Sequence, residues 1–179
     1  MTAQAPLIAE LANLVTPTWR GGSPARPAQG DELVTAFSAA AGERIAAALR
    51  DVPDAATRLT TLAVALRDAL TAPTPAETAA RINAMMSRYA ARPYLVEDED
   101  QPFHLHFHGS GETAVEALGG EFATALALVV DGYGSNRLGM CEARRCEGVY
   151  IDLTRNGSRR YCGPACTARA KTAAYRSRQ

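Results

Sequence analysis

At 179 residues, with 47% of them apolar, the chain suits one compact domain plus a small module rather than two full domains. Charged residues at 21% are ordinary for a chain with a real core, and no apolar run approaches the ~20 residues a bilayer-spanning helix needs, so a helical membrane protein is excluded. The net charge of zero hides an asymmetry: residues 1–136 hold 9 Lys/Arg against 16 Asp/Glu, whereas residues 137–179 hold 10 against 3. Such a split points to a basic C-terminal part with a polyanionic partner.

The opening residues 1–7 carry neither a basic n-region nor an apolar h-region, so no signal peptide is expected and the predicted location is cytoplasmic. Leu7, Ile8, Leu11, Leu14 and Val15 recur at helical spacing and predict a first helix ending near Thr16-Pro17. Residues 19–27, with Trp19, Gly21, Gly22, Pro24 and Pro27, read as a loop. This loop is either a turn around one buried tryptophan or a ligand-contacting segment. Asp31 is placed to cap a second helix with Leu33, Val34 and Phe37 on one face, running to about Ala41-Gly42, and residues 43–50 continue helically. Asp54 is placed to cap a third long stretch, with Leu59, Leu62, Ala63, Leu66 and Leu70 apolar. Thr74-Pro75-Ala76-Glu77 combines a capping box with proline at the first helical position, ahead of Ile82, Met85, Met86 and Tyr89.

The period then changes. Residues 94–96 read as a strand, residues 97–102 as a solvated turn, and the alternation of Phe103, His104, Leu105, His106, Phe107 and His108 as a half-buried strand returning as a hairpin. Period-2 patterning places Phe103, Leu105 and Phe107 toward the core and the three histidines toward water. Histidines at i and i+2 can also chelate a metal, so the alternative for His104, His106 and His108 is a metal-dependent enzyme site. A helical stretch resumes through Val115 and Leu118, with Gly119-Gly120 permitting a kink, and continues through Phe122, Leu126 and Val130. Residues 132–136 form a turn into the last part of the chain.

That last part contains every cysteine of the protein: Cys141, Cys146, Cys162 and Cys166. They fall as Cys-x4-Cys and Cys-x3-Cys, the grouping that a tetrahedral zinc ion needs, with each close pair supplying two thiolates from one tight turn. Two disulfides are the alternative that an even count permits, and an intracellular compartment disfavours them. Residues 149–151 read as a short strand, Asn156-Gly157 as a hairpin turn and residues 159–161 as the return strand, with Cys166 in the first turn of a helix to about Arg178. The expected architecture is mostly α with a β-hairpin (α+β): a helical domain over 1–136, then a small treble-clef-like module over 137–179 holding one structural Zn²⁺.

These residues resemble the bacterial CGNR zinc-finger family, whose members carry an N-terminal helical domain called ABATE. The match is carried by Arg137-Leu138, by the cysteine spacing, by Tyr150-x-Asp152, by Thr154-Arg155-Asn156-Gly157-Ser158-Arg159-Arg160-Tyr161-Cys162, by Cys166 with Arg169-Ala170-Lys171, and by Tyr175-Arg176-Ser177-Arg178. Residues 11–14 and 18–22 resemble the family's opening segment. In the family's pattern the last cysteine is followed by Gly-Asn-Arg; here Thr167 and Ala168 stand in the first two positions and only Arg169 remains.

The resemblance implies a bacterial transcription regulator. The charge pattern independently implies a nucleic acid or another polyanion, because after Asp152 no acidic residue occurs to the end of the chain. The candidate contacts are Arg144, Arg145, Arg159, Arg160, Thr167, Arg169, Lys171, Arg176 and Arg178. DNA is the expected partner; an RNA-binding or protein-interaction adaptor is the alternative. The acidic helical domain is expected to sense an unknown effector or to mediate assembly. Four thiolates close a zinc sphere, and no serine, cysteine or carboxylate constellation argues for an enzyme, so no catalytic residue is expected.

Overall fold

Pro6 at the start of the first helix, α1 (Ala5–Leu14), has a fixed φ that suits a first turn, and Ile8, Leu11 and Ala12 form the buried stripe behind it. The computed structural model describes residues 4–98, 101–108 and 113–177, and of these the side chains of residues 94, 96, 98 and 101–108 are left undescribed. The protein is mostly helical, with small two-stranded hairpins and a C-terminal four-cysteine module, as the residue patterns predict.

Residues 19–27 are not a featureless loop. Trp19–Arg20 (β1) and Ser23–Pro24 (β2) pair antiparallel across Gly21 and Gly22, both of which sit at positive φ. Helices α2 (Gly30–Ala41), α3 (Glu43–Arg50), α4 (Ala55–Leu70) and α5 (Pro75–Arg88) follow. Gln29, not Asp31, is the N-cap of α2, and Asp31 lies within its first turn, where an acid favours the helix dipole. Asp54 does occupy the N-cap of α4, but in the left-handed region and with no hydrogen bond from its side chain. At α5 Thr74 is the N-cap as expected: its Oγ1 accepts from Glu77 N at 3.2 Å, and its hydroxyl donates to Glu77 Oε1 at 3.1 Å.

Strands β3 (Arg92–Asp98) and β4 (Gln101–His108) form the predicted hairpin, with Val96 opposite His104, Tyr94 opposite His106 and Arg92 opposite His108. The side chains of His104, His106 and His108 lie outside the described residues, and so does the expectation for their face. Helix α6 (Ala114–Tyr133) carries Val115, Leu118, Phe122, Ala123, Leu126 and Val129 into the main core cluster, packing on α5 and α4. No described helix is long and apolar enough to cross a membrane.

Helix α6 runs unbroken through Gly119-Gly120, where the sequence permits a kink. Gly119 serves close approach instead: a Cβ there would fall 2.5 Å from ring atoms of the buried Tyr89 at the end of α5. Gly119→Ala is therefore expected to destabilise the protein. Overpacking of about 1–3 kcal/mol outweighs the roughly 0.5–1 kcal/mol that alanine contributes to a helix interior. Urea unfolding of the variant measures the difference; an unchanged or raised midpoint would refute the tight α5–α6 contact.

A candidate zinc centre and its basic surroundings

Helix α6 ends at Gly134, and a 3-10 turn (Ser135–Arg137) leads into β5 (Leu138–Met140). Strand β5 pairs antiparallel with β6 (Val149–Ile151), Met140 opposite Val149 and Leu138 opposite Ile151. The chain between them folds into a knuckle closed by Cys141 N–H donating to Gly148 O at 2.7 Å, and Arg145 takes a left-handed conformation to complete the turn. The knuckle turns Cys141 and Cys146 to one point. Cys162 precedes α7 (Pro164–Arg176) and Cys166 lies on its first turn.

The four Sγ atoms lie within 4.8 Å of one another. Cys146 to Cys162 is 3.7 Å, Cys162 to Cys166 is 3.8 Å and Cys166 to Cys146 is 3.6 Å. A tetrahedron with Zn–S bonds of about 2.3 Å has edges of about 3.8 Å. The thiols thus converge on one centre rather than pairing two by two, and the site fits one structural zinc ion. Gly148 makes room for it, because a Cβ there would stand 2.9 Å from Cys162 Sγ.

Electrostatics within the cluster are uneven. Burial acts to raise the Cys146 thiol, but N–H groups of Gly21 and Gly148 and the thiols of Cys166 and Cys162 prevail and bring it down to about 7. Burial, the charge of Cys141 and the neighbouring thiols push Cys162 up, and burial with its neighbours pushes Cys166 up as well. Four thiolates cannot share this volume without a cation. Zinc with four thiolates retains a net charge of about −2, so surrounding donors matter. Gly21 N–H points at Cys146 Sγ at 3.4 Å and Arg169 Nη1 at Cys166 Sγ at 3.8 Å.

Residues 159–161 do not form the expected return strand; β6 pairs with β5 instead. The turn at residues 154–157 exists, with Gly157 N–H donating to Thr154 O at 3.2 Å and Gly157 at positive φ. Beyond it, Asp152 diverts the hydrogen bonds that a strand would use. Its carboxylate accepts from Thr154 N at 2.8 Å, from Thr154 Oγ1 at 2.6 Å and from Arg159 N at 2.8 Å. Burial acts to raise this carboxyl group, but those donors together with Arg137 hold it below the usual carboxylate range. The next carbonyl, of Arg160, accepts from Glu142 N at 3.0 Å, so this segment closes onto the knuckle.

The metal module is interlocked with the helical part. Val149 and Ile151 belong to the main core cluster. Buried Asn13 of α1 brackets Val149 as a strand would, donating from Nδ2 to its carbonyl at 3.0 Å and accepting its N–H at Oδ1 at 2.7 Å. The β1–β2 hairpin clasps the knuckle: Gly22 N–H donates to Arg145 O at 3.0 Å and Glu147 N–H to Trp19 O at 2.8 Å. Arg145 lies over the half-buried Trp19 ring at 4.8 Å. Arg67 of α4 donates to Glu147 O at 2.7 Å. These supporting residues, Asn13, Gly21, Gly22 and Arg67, were not identifiable as site residues from spacing. The signals are that residues 11–14 and 18–22 carry part of the family resemblance and that the loop after Trp19 admits a ligand-contacting reading; neither covers Arg67.

The basic candidates separate by what they touch. Arg159 donates from Nε to Tyr161 O at 3.0 Å, from Nη2 to Cys162 O at 2.9 Å and from Nη1 to Ile151 O at 3.3 Å. Arg169 donates to Arg144 O at 2.7 Å and lies so close over Gly22 that a Cβ there would meet its guanidinium at 2.5 Å. Thr167 Oγ1 bonds Gly163 O at 3.2 Å, and Arg160 pairs with Glu142 while remaining exposed. Arg144, Lys171 and Arg176 are exposed. Arg178 lies outside the described residues.

Residues 137–179 match the family model of the CGNR zinc finger. No curated protein matches the chain.

Proposed function

We propose that the CGNR zinc finger makes this chain a bacterial transcription regulator that binds DNA. On this reading the helical part, ABATE-like in residues 11–14 and 18–22, receives a cytoplasmic signal or mediates assembly, and the chain is not an enzyme. The single observation that carries the reading is the surface around the zinc centre. Residues 153–179 contain no acid, and the exposed Arg144, Lys171 and Arg176 surround a helix fixed at its first turn by Cys166. A surface with such an excess of positive charge is favoured by phosphate oxygens, even with exposed Glu142 paired to Arg160. The zinc reading is compatible with a purely structural ion, since four thiolates leave no position for water.

The test is a salt titration of the full zinc-loaded chain on duplex DNA and on single-stranded RNA. Duplex binding is expected to weaken linearly in log–log form with salt, with a slope of about −0.9 per phosphate contacted. Absence of duplex binding at low salt would overturn the regulator reading. A clear preference for RNA would replace it with the adaptor role.

A further inference from the structure

Helix α7 stands as a ridge between two grooves, and both are lined with cations. The groove between α7 and the knuckle, about 410 Å³, is lined by Arg144 on one side and by Thr172 and Arg176 on the other. The groove between α7 and the loop before it, about 700 Å³, is lined by Ser158 and Arg160 on one side and by Thr167 and Lys171 on the other. Along the second half of the helix Lys171, Thr172, Ala173, Ala174, Tyr175 and Arg176 are all exposed. Arg159 and Arg169, by contrast, are held by carbonyls of the module itself. The exposed cations beside α7 thus form two rows, Arg144 with Arg176 and Lys171 with Arg160, the last ion-paired to exposed Glu142, on either side of the helix.

We propose that α7 enters the major groove of B-form duplex DNA, with each cationic groove beside it receiving one phosphate backbone. The inference rests on the DNA reading above and adds to it which element enters, which groove it enters and which cations touch phosphate. The dimensions agree. A helix is about 10–12 Å across and the major groove about 12 Å wide, and the 13 residues of α7 span about 20 Å. Two strands of phosphate flank a groove, and two rows of cations flank this helix. A single strand of RNA would be served by one row with several stacking rings, and Tyr175 is the only aromatic residue on α7. Lys171 and Arg176 position the helix, while the exposed Tyr175 is the residue of α7 that reaches base edges; Thr172 lines the knuckle-side groove and its hydroxyl donates to Ala168 O at 3.1 Å. Arg159 and Arg169 act through the fold: they fix the loop and the zinc knuckle, and touch no phosphate.

The experiment compares the full zinc-loaded chain with the triple variant Arg144→Gln/Lys171→Gln/Arg176→Gln, and with Arg159→Gln and Arg44→Gln. The triple variant is expected to keep its zinc and its melting temperature. Its log–log salt slope should fall by about 2.7, and its affinity by on the order of tenfold per lost contact at 0.1 M salt. Arg159→Gln is expected to lower stability and zinc retention while leaving the slope of the folded fraction intact, and Arg44→Gln on α3 to change nothing. Methylation of guanine N7 in the major groove should block binding, and a minor-groove ligand should not compete. Duplex binding with an unchanged slope in the triple variant would overturn the proposal and leave the DNA reading standing, as would displacement by the minor-groove ligand with no effect of N7 methylation. Failure of the wild-type chain to bind duplex at all would remove both.

Discussion

Cys162→Ser is expected to abolish stoichiometric zinc and to unfold the chain from residue 152 onward. The loop of residues 152–163 and α7 have few buried apolar side chains of their own: beyond Asp152, Cys166 alone is buried among the described residues. So small a segment cannot hold a core, and metal binding must supply its folding free energy, on the order of 10–16 kcal/mol for structural zinc at neutral pH. The loss should not stop at a boundary near residue 136. Without the metal, the knuckle loosens its hold on Gly21 and Trp19, so the β1–β2 hairpin should lose protection as well. The core of Phe37, Leu62, Leu66 and Phe122 should persist, since these residues belong to the main core cluster and not to the one around the cysteines. Zinc per chain and an amide correlation spectrum measure the result. Retained zinc, or unchanged dispersion of the α7 signals in the metal-free variant, would refute it.

Asn13→Leu is the second large effect expected, and it tests the joint between the two parts. The asparagine supplies both hydrogen bonds that an adjacent strand would have given Val149, in a site that is 6% exposed at Asn13 and 0% at Val149. Leucine leaves a buried N–H and a buried C=O without partners. Each orphan costs about 1–3 kcal/mol, so the variant should lose about 2–6 kcal/mol, a large part of a typical domain's stability. Asn13→Asp keeps the acceptor for Val149 N–H but sets a buried carboxylate oxygen against the Val149 carbonyl, so it should also be strongly destabilised. Chemical denaturation of the zinc-loaded proteins measures all three. Wild-type stability in Asn13→Leu would mean that Val149 finds other partners and that Asn13 does not join the parts.

What the amino-acid sequence determined by itself was whatever is decided by near neighbours. The cysteine pairs are local, so their spacing pointed to a four-thiolate zinc site, with two disulfides as the alternative, and Thr74-Pro75-Ala76-Glu77 places a helix start because a cap and its donors lie within four residues. Apolar spacing likewise located the buried faces of α1, α4 and α6. Contacts across the chain were another matter. Gly119-Gly120 looks locally like a kink; only the ring of Tyr89, thirty positions away, makes it a packing site. Asn156-Gly157 suggested a hairpin, but the carboxylate of Asp152 took the hydrogen bonds of Arg159, and β6 paired with β5. Asn13 and Gly21 are unremarkable in a string of letters, and they become part of the zinc site only because α1 and the β1–β2 hairpin pack on the knuckle. The charge of the last segment was plain from composition. Which arginines face outward and which are tied to carbonyls depended on tertiary structure, because a guanidinium reaches whichever acceptors the fold brings within 3 Å, and residue order does not reveal them.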